Sequence, residues 1–126
     1  MEQVSVLFPD ETVFFDSLKI KELEGLLGAE DSDNIKTKAM EEIAIRLSQS
    51  EKLLAQLQWP ELRKVCASIG KISDQIGMTS LVEVSALVTD SIDNNDAPAM
   101  AATHFRLLRV GDRSLTEFWD QQDMSG

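Results

Sequence analysis

Apolar positions recur along this chain at spacings of three and four, broken by short polar or glycine-bearing stretches, and that rhythm predicts helices nearly throughout. A first helix starts near Asp16 or Ser17, shows Leu23, Leu26 and Leu27, and stops at Gly28. Ala29-Glu30-Asp31-Ser32 reads as a polar connector. Ser32 or Asp33 then caps a longer helix with Met40, Ile43, Leu47, Leu54 and Leu57 on one stripe. Pro60 suits the first turn of a third helix, where its missing N–H would have lacked a partner. Leu62, Val65, Cys66, Ile69, Ile72 and Ile76 form the inner face of that helix, and Gly77 is its left-handed terminator.

Ser80-Leu81-Val82-Glu83 has the spacing of a capping box and opens a fourth helix through Leu81, Val84, Val88 and Ile92. Asp93-Asn94-Asn95-Asp96 is a turn, and Asp96-Ala97-Pro98 starts a fifth helix. Leu108, Leu115 and Phe118 share its inner stripe, with Trp119 close by and fraying expected from Asp120 onward. Helices with single apolar faces and short polar turns specify an all-α antiparallel bundle. The expected organisation is an arm or short extended segment over 1–15, one bundle over 16–122, and a frayed tail over 123–126. Val4–Phe8 and Val13-Phe14-Phe15 are apolar enough to cap the end of the bundle or to bridge two subunits, and capping is favoured.

The formal charge of −10 argues against nucleic-acid binding, because neutralising phosphates requires clustered Lys and Arg. The acidity is uneven. Residues 1–34 carry nine acids against Lys19 and Lys21, a net charge of −7, so basic clusters stand out in the remainder. No apolar run approaches the ~20 residues of a membrane-spanning helix. Met1-Glu2-Gln3 lacks the basic start of a signal peptide, and a single cysteine permits no internal disulfide, so a cytoplasmic protein is expected.

The stretch from Trp59 through Ile69-Gly70-Lys71 and Ile76-Gly77 to Leu81 resembles the histidine phosphotransfer (HPt) family. In that family a long bundle helix carries His-x-Leu-Lys-Gly, then a Leu/Ile-Gly helix end, then a second antiparallel helix. The resemblance covers roughly residues 15–120 and implies a four-helix bundle of HPt type with an additional N-terminal helix or arm. Registered on Ile76-Gly77, the phosphoacceptor position falls on Ala67, and Gly70 and Lys71 take the Lys-Gly positions in swapped order. At about 100° per residue, Arg63, Lys64, Ala67, Lys71 and Asp74 lie opposite the apolar stripe. A methyl group cannot attack an aspartyl phosphate, so phosphotransfer through this position is excluded.

Few other groups offer chemistry. Cys66 belongs to the apolar stripe and reads as a structural thiol. His104, the single histidine, falls at or near the inner stripe of the last helix, where a packed ring is expected and an alternative phosphoacceptor is the sharper reading. One histidine among scattered acids does not make a metal site, and no cofactor is expected. Arg106, Arg109 and Arg113 form a second basic stripe that either pairs with acids on an adjacent helix or serves as a contact surface.

The resemblance therefore implies a non-catalytic module of two-component signalling. Its face of Arg63, Lys64, Ala67, Gly70, Lys71 and Asp74 would dock the acidic pocket of a response-regulator receiver, or a histidine kinase. The alternatives are an active phosphotransfer protein using His104 and a structural or dimerising bundle, with the chain a monomer or a homodimer.

Overall fold

The computed structural model describes residues 11–125, and all regular structure among them is α-helical: α1 (Ser17–Leu27), α2 (Ala29–Ala55), α3 (Trp59–Gln75), α4 (Thr79–Asp93) and α5 (Ala97–Ser125). Helices α2 to α5 form the bundle. Each packs on the next and α5 returns to α2, closing a four-membered ring, while α1 lies outside it against α2. Ile43, Leu62, Cys66, Ile69, Leu81, Val88, Leu107 and Phe118 are fully buried at the centre. No helix among the described residues is long and apolar enough to cross a membrane.

The three turns of the bundle share one construction. Leu57, Gly77 and Asn95 each take a positive φ, of 57°, 75° and 54°. Their N–H groups donate to Leu54, Asp74 and Ile92, and the next residues, Gln58, Met78 and Asp96, donate to Leu53, Ser73 and Ser91. This paired pattern is a Schellman motif, which satisfies carbonyls that a helix end leaves without partners. The same Gln58, Met78 and Asp96 carbonyls then accept from Leu62, Val82 and Met100 in the following helix. One residue thus ends one helix and begins the next, so the chain reverses within three residues.

Two of these turns are announced by Gly77 and by the Asn-Asn-Asp run. The third is hidden, because Leu57 resembles one more position of the α2 stripe while it sits 65% exposed beyond the helix end. The fourth helix is not capped by the expected box. α4 begins at Thr79 behind Met78, and Ser80 Oγ instead accepts the Phe14 N–H at 2.8 Å.

The connector expected over residues 29–32 is likewise helical. Gly28 alone separates α1 from α2, at φ 83° and ψ 168°, a conformation open essentially only to glycine. Glu30 and Asp31 then occupy the first turn of α2, where carboxylates favour the helix N-terminus. The tail does not fray at Asp120, since α5 continues to Ser125.

α2 and α5 run antiparallel along a seam that can be followed residue by residue. Ser50 meets His104, Leu47 meets Gly111, and Lys36 meets Gln122. A Cβ on Gly111 would stand 2.7 Å from Leu47 Cδ1, so glycine is what permits this approach. The inner stripe of α5 is consequently Met100, His104, Leu107, Val110, Ser114 and Phe118. The expected Leu108 and Leu115 are displaced to its half-buried flank, and Trp119 is 56% exposed.

α1 buries no residue fully: Leu23 of its expected apolar face and Ile20 pack half-buried against the core, while Leu26 is 84% exposed. Polar contacts also hold it. Asp16 caps its first turn by accepting from Lys19 N, and the Asp16 N–H donates to Gly77 O at 2.8 Å. At the other end Glu24 accepts from Lys36 Nζ at 2.6 Å, and Lys36 is only 1% exposed. Of the N-terminal arm, Val4–Phe8 lies outside the described residues. Val13 is buried and Phe15 stacks edge-on against Phe118 at 5.6 Å, so these two cover the bundle, while Phe14 is 64% exposed.

Leu57→Gly should raise stability by about 0.5–1 kcal/mol by relieving the left-handed conformation, despite glycine's larger unfolded-state entropy. Gly77→Ala should cost about 1–3 kcal/mol, because φ is positive and the new Cβ would meet the Asp16 carbonyl at 2.9 Å. Urea unfolding midpoints read both. Glu24→Ala should cost about 1–3 kcal/mol, because it strips the buried Lys36 ammonium of its charged partner. Lys36→Met should stay within about 1 kcal/mol of the native protein, since an apolar side chain of similar size needs no partner. The reverse order in urea melts would show that the pair itself, not the desolvated charge, carries the energy.

Candidate functional site: the groove between α3 and α4

The outward side of α3 is shaped by how closely α4 approaches it. Gly70 lies 3.5 Å, measured from a notional Cβ, from the Ser85 Cβ. Small residues at both positions draw the helices together. Ala67, Gly70, Lys71 and Asp74 then line one wall of a groove of about 300 Å³, with Val82, Ser85, Ala86 and Thr89 on the other and the unexposed Cys66 behind it. Ala67 is half-buried within it rather than standing free in solvent. Ser85 is buried, and its Oγ has no hydrogen-bond partner, which leaves one polar atom beneath an otherwise small and apolar floor.

Four of the six residues expected on this face therefore share the groove. Arg63 and Lys64 lie outside its lining, one turn toward the start of α3. The charges are rearranged as well. Arg63 donates through Nε and Nη2 to the two carboxylate oxygens of Asp93 at 2.6 and 2.8 Å, a forked pair that ties the start of α3 to the end of α4. These bonds raise the Arg63 pKa and hold the Asp93 carboxyl below its ordinary range. Asp74 pairs with Lys19 of α1 at 3.0 Å. Lys64 and Lys71 form no ion pair among the described residues, so the basic character of the face rests on these two lysines rather than on Arg63.

Neither nucleophile is available on this surface. Cys66 points inward with no exposure, and burial pushes its thiol up to about 12, which leaves it protonated and unreactive. His104 is 3% exposed on the far side of the bundle. Its Nε2 lies 2.9 Å from Ser50 Oγ, and Ser50 donates its own hydrogen to the Leu47 carbonyl at 2.6 Å. A hydroxyl has one hydrogen, so the serine accepts here and the imidazole carries its proton on Nε2. A phosphoryl donor on another protein has no route to this ring in the folded structure. Among the described residues no group of His, Cys, Asp and Glu could hold a metal ion.

The second basic stripe is internal in its contacts. Arg106 reaches Glu11 at 2.7 Å and Arg109 lies 3.8 Å from the same oxygen, while Arg113 pairs with Glu117 on its own helix at 2.6 Å. Glu11 of the N-terminal segment and Glu117 of α5 are thus among the acids that meet it. Arg109 also lies over the Phe105 ring at 5.4 Å.

Lys36, Lys19 and Asp93 were not singled out in the sequence, although each decides the charge of a neighbour. A lysine within the apolar rhythm of α2 is a signal that could have found the first. The other two depend on which helices touch. Set against models of known protein families, curated proteins and solved structures, the chain matches none of them.

The buried imidazole sets a pH response. Burial lowers the His104 pKa below its ordinary 6.5, and the Glu51 carboxylate opposes this only in part. On acidification the unfolded chain therefore binds a proton before the folded one does. Stability should fall as the pH drops through about 6.5, and continue to fall until the folded-state pKa is reached. Thermal midpoints measured from about pH 7.5 to about pH 5.5 should show this loss, and His104→Gln, which keeps a donor for Ser50, should flatten it.

Proposed function

We propose that this protein is a non-catalytic, HPt-like binding module of two-component signalling. It docks a response-regulator receiver, or a kinase domain, on the α3–α4 groove and occupies that partner without accepting phosphate. The observation that carries the reading is the methyl group of Ala67 in the wall of a groove sized for a partner's side chains, at the position the resemblance gives to the phosphoacceptor. The antiparallel ring of four helices supports it. So do Lys64 and Lys71, two cations without ion pairs among the described residues of a chain of net charge −10, which would meet an acidic receiver pocket. The phosphotransfer alternative through His104 is disfavoured by the burial of the ring and its bond to Ser50.

The test uses purified receiver domains of the source organism and biolayer interferometry. The native protein should bind at least one receiver saturably, and Lys64→Glu/Lys71→Glu should weaken binding about tenfold or more while abolishing its salt dependence. Ala67→His should in addition acquire an acid-labile phosphoryl group from that receiver once it is phosphorylated, whereas the native protein should not. Absence of binding to every receiver and kinase domain would sink the proposal. An acid-labile phosphoryl group on the native protein, lost in His104→Gln, would hand the function to the alternative.

A further inference from the structure

On the opposite edge of the helix ring, the α2–α5 seam opens into a second groove. Its ends are fixed by contacts already described: Gly111 against Leu47 at one, and the Lys36–Gln122 hydrogen bond, 3.0 Å, at the other. Between them the facing positions carry Thr37 and Ala44 on α2 and Thr116 on α5, side chains too short to fill the gap. The result is an open groove of about 510 Å³ lined also by Met40 and Leu115. It continues into a smaller recess of about 190 Å³ beside Lys36. Trp119 stands at the junction of the two, 56% exposed.

The composition of the rim selects among occupants. Glu41 and Asp120 line the groove and Asp33 lines the recess, and none of the three has an ion pair or hydrogen bond among the described residues. The one cation in the lining, Lys36, is buried and held by Glu24. An apolar trough whose charged groups without ion pairs among the described residues are all carboxylates repels a second copy of this acidic chain, and repels an anionic membrane surface as well. It fits a segment with apolar residues on one side and basic residues on the other. Exposed tryptophans with flexible methionines beside them are the side chains that anchor such segments in helix-binding grooves.

We propose that the α2–α5 groove is a second docking site, and that its occupant is a basic amphipathic helix of a partner protein. Apolar side chains of that helix lie on Met40, Leu115 and Trp119, and its Lys or Arg residues face Glu41, Asp120 and Asp33. Because the two grooves lie on opposite edges of the ring, this site is independent of the α3–α4 face, and both can be filled at once. The proposal does not rest on the reading of the α3–α4 groove as a receiver site.

The full-length protein is titrated with a synthetic amphipathic helical peptide carrying leucines on one face and lysines on the other. Two controls are the same peptide with glutamates in place of the lysines and a scrambled peptide of the same composition. Tryptophan emission should shift to the blue saturably with the lysine peptide alone. Trp59→Phe should keep the shift, which excludes Trp59 as its source, and Trp119→Phe should remove it. Glu41→Lys/Asp120→Lys should weaken binding, read by anisotropy of a labelled peptide, about tenfold or more, while Lys64→Glu/Lys71→Glu should leave it unchanged. Equal binding of either control peptide, no saturable binding, or an unaffected Glu41→Lys/Asp120→Lys variant overturns the proposal. It is overturned equally if Trp119 emission in the free protein is already blue-shifted. Loss of that shift on dilution would give the groove to a second copy, and its persistence would give it to the chain's own residues 1–10.

Discussion

The ammonium group of Lys36, 1% exposed and close to the end of the bundle, is the constraint around which that end is arranged. A buried cation without partners costs several kcal/mol, so the chain must bring partners to it. It draws them from two directions. Glu24 comes from α1, which buries no residue of its own, and Gln122 comes from the last turns of α5. One side chain on α2 thereby anchors the C-terminal part of α1, whose start is held by Asp16 at Gly77 and by Ile20 and Leu23 against the core, and it ties Gln122 near the end of α5 to the groove beside Trp119.

The rest of the bundle follows from turns that leave little freedom. Three connections of the same Schellman construction reverse the chain within three residues, so consecutive helices must lie side by side and antiparallel. The contact that closes the ring is the one between α2 and α5, which are far apart in sequence. It is made by removal rather than addition of side chain: Gly111 lets Leu47 approach, where a Cβ would stand 2.7 Å from Leu47 Cδ1. Where the facing residues are merely short and not absent, the helices do not close fully, and a groove remains.

The candidate site illustrates how tertiary contacts edit a charge pattern. Read along α3 alone, Arg63 is the leading cation of a basic face. In the fold it pairs with Asp93, and Asp74 is answered by Lys19, which leaves Lys64 and Lys71 as the charges of this face without ion pairs among the described residues. The same contacts turn an expected convex helix face into one wall of a cleft, with Ala67 half-buried in it. A groove that binds a partner's side chains asks more of shape than a face that merely attracts opposite charge.

Much of the architecture was legible in the sequence, because helix periodicity, Gly77, the Asn-Asn-Asp turn and Pro60 are local signals with local causes. The all-helical class, Leu62, Cys66, Ile69 and Ile76 of the inner stripe of α3, the buried thiol of Cys66 and the packed ring of His104 followed from them, whereas Val65 and Ile72 are half-buried and Ser73 is buried in the stripe. Failures arose where a local signal had a non-local use. Ser80 has the spacing of a capping box but serves Phe14, Leu57 continues an apolar stripe but occupies a turn, and Leu108 yields the inner face of α5 to Leu107 because Gly111 sets its rotation. Which helix closes on which, which carboxylate meets Arg63 and Lys36, and where a seam stays open were decided only by the tertiary structure. Those outcomes depend on distances between residues many turns apart, and the spacing of residues along one helix carries no information about them.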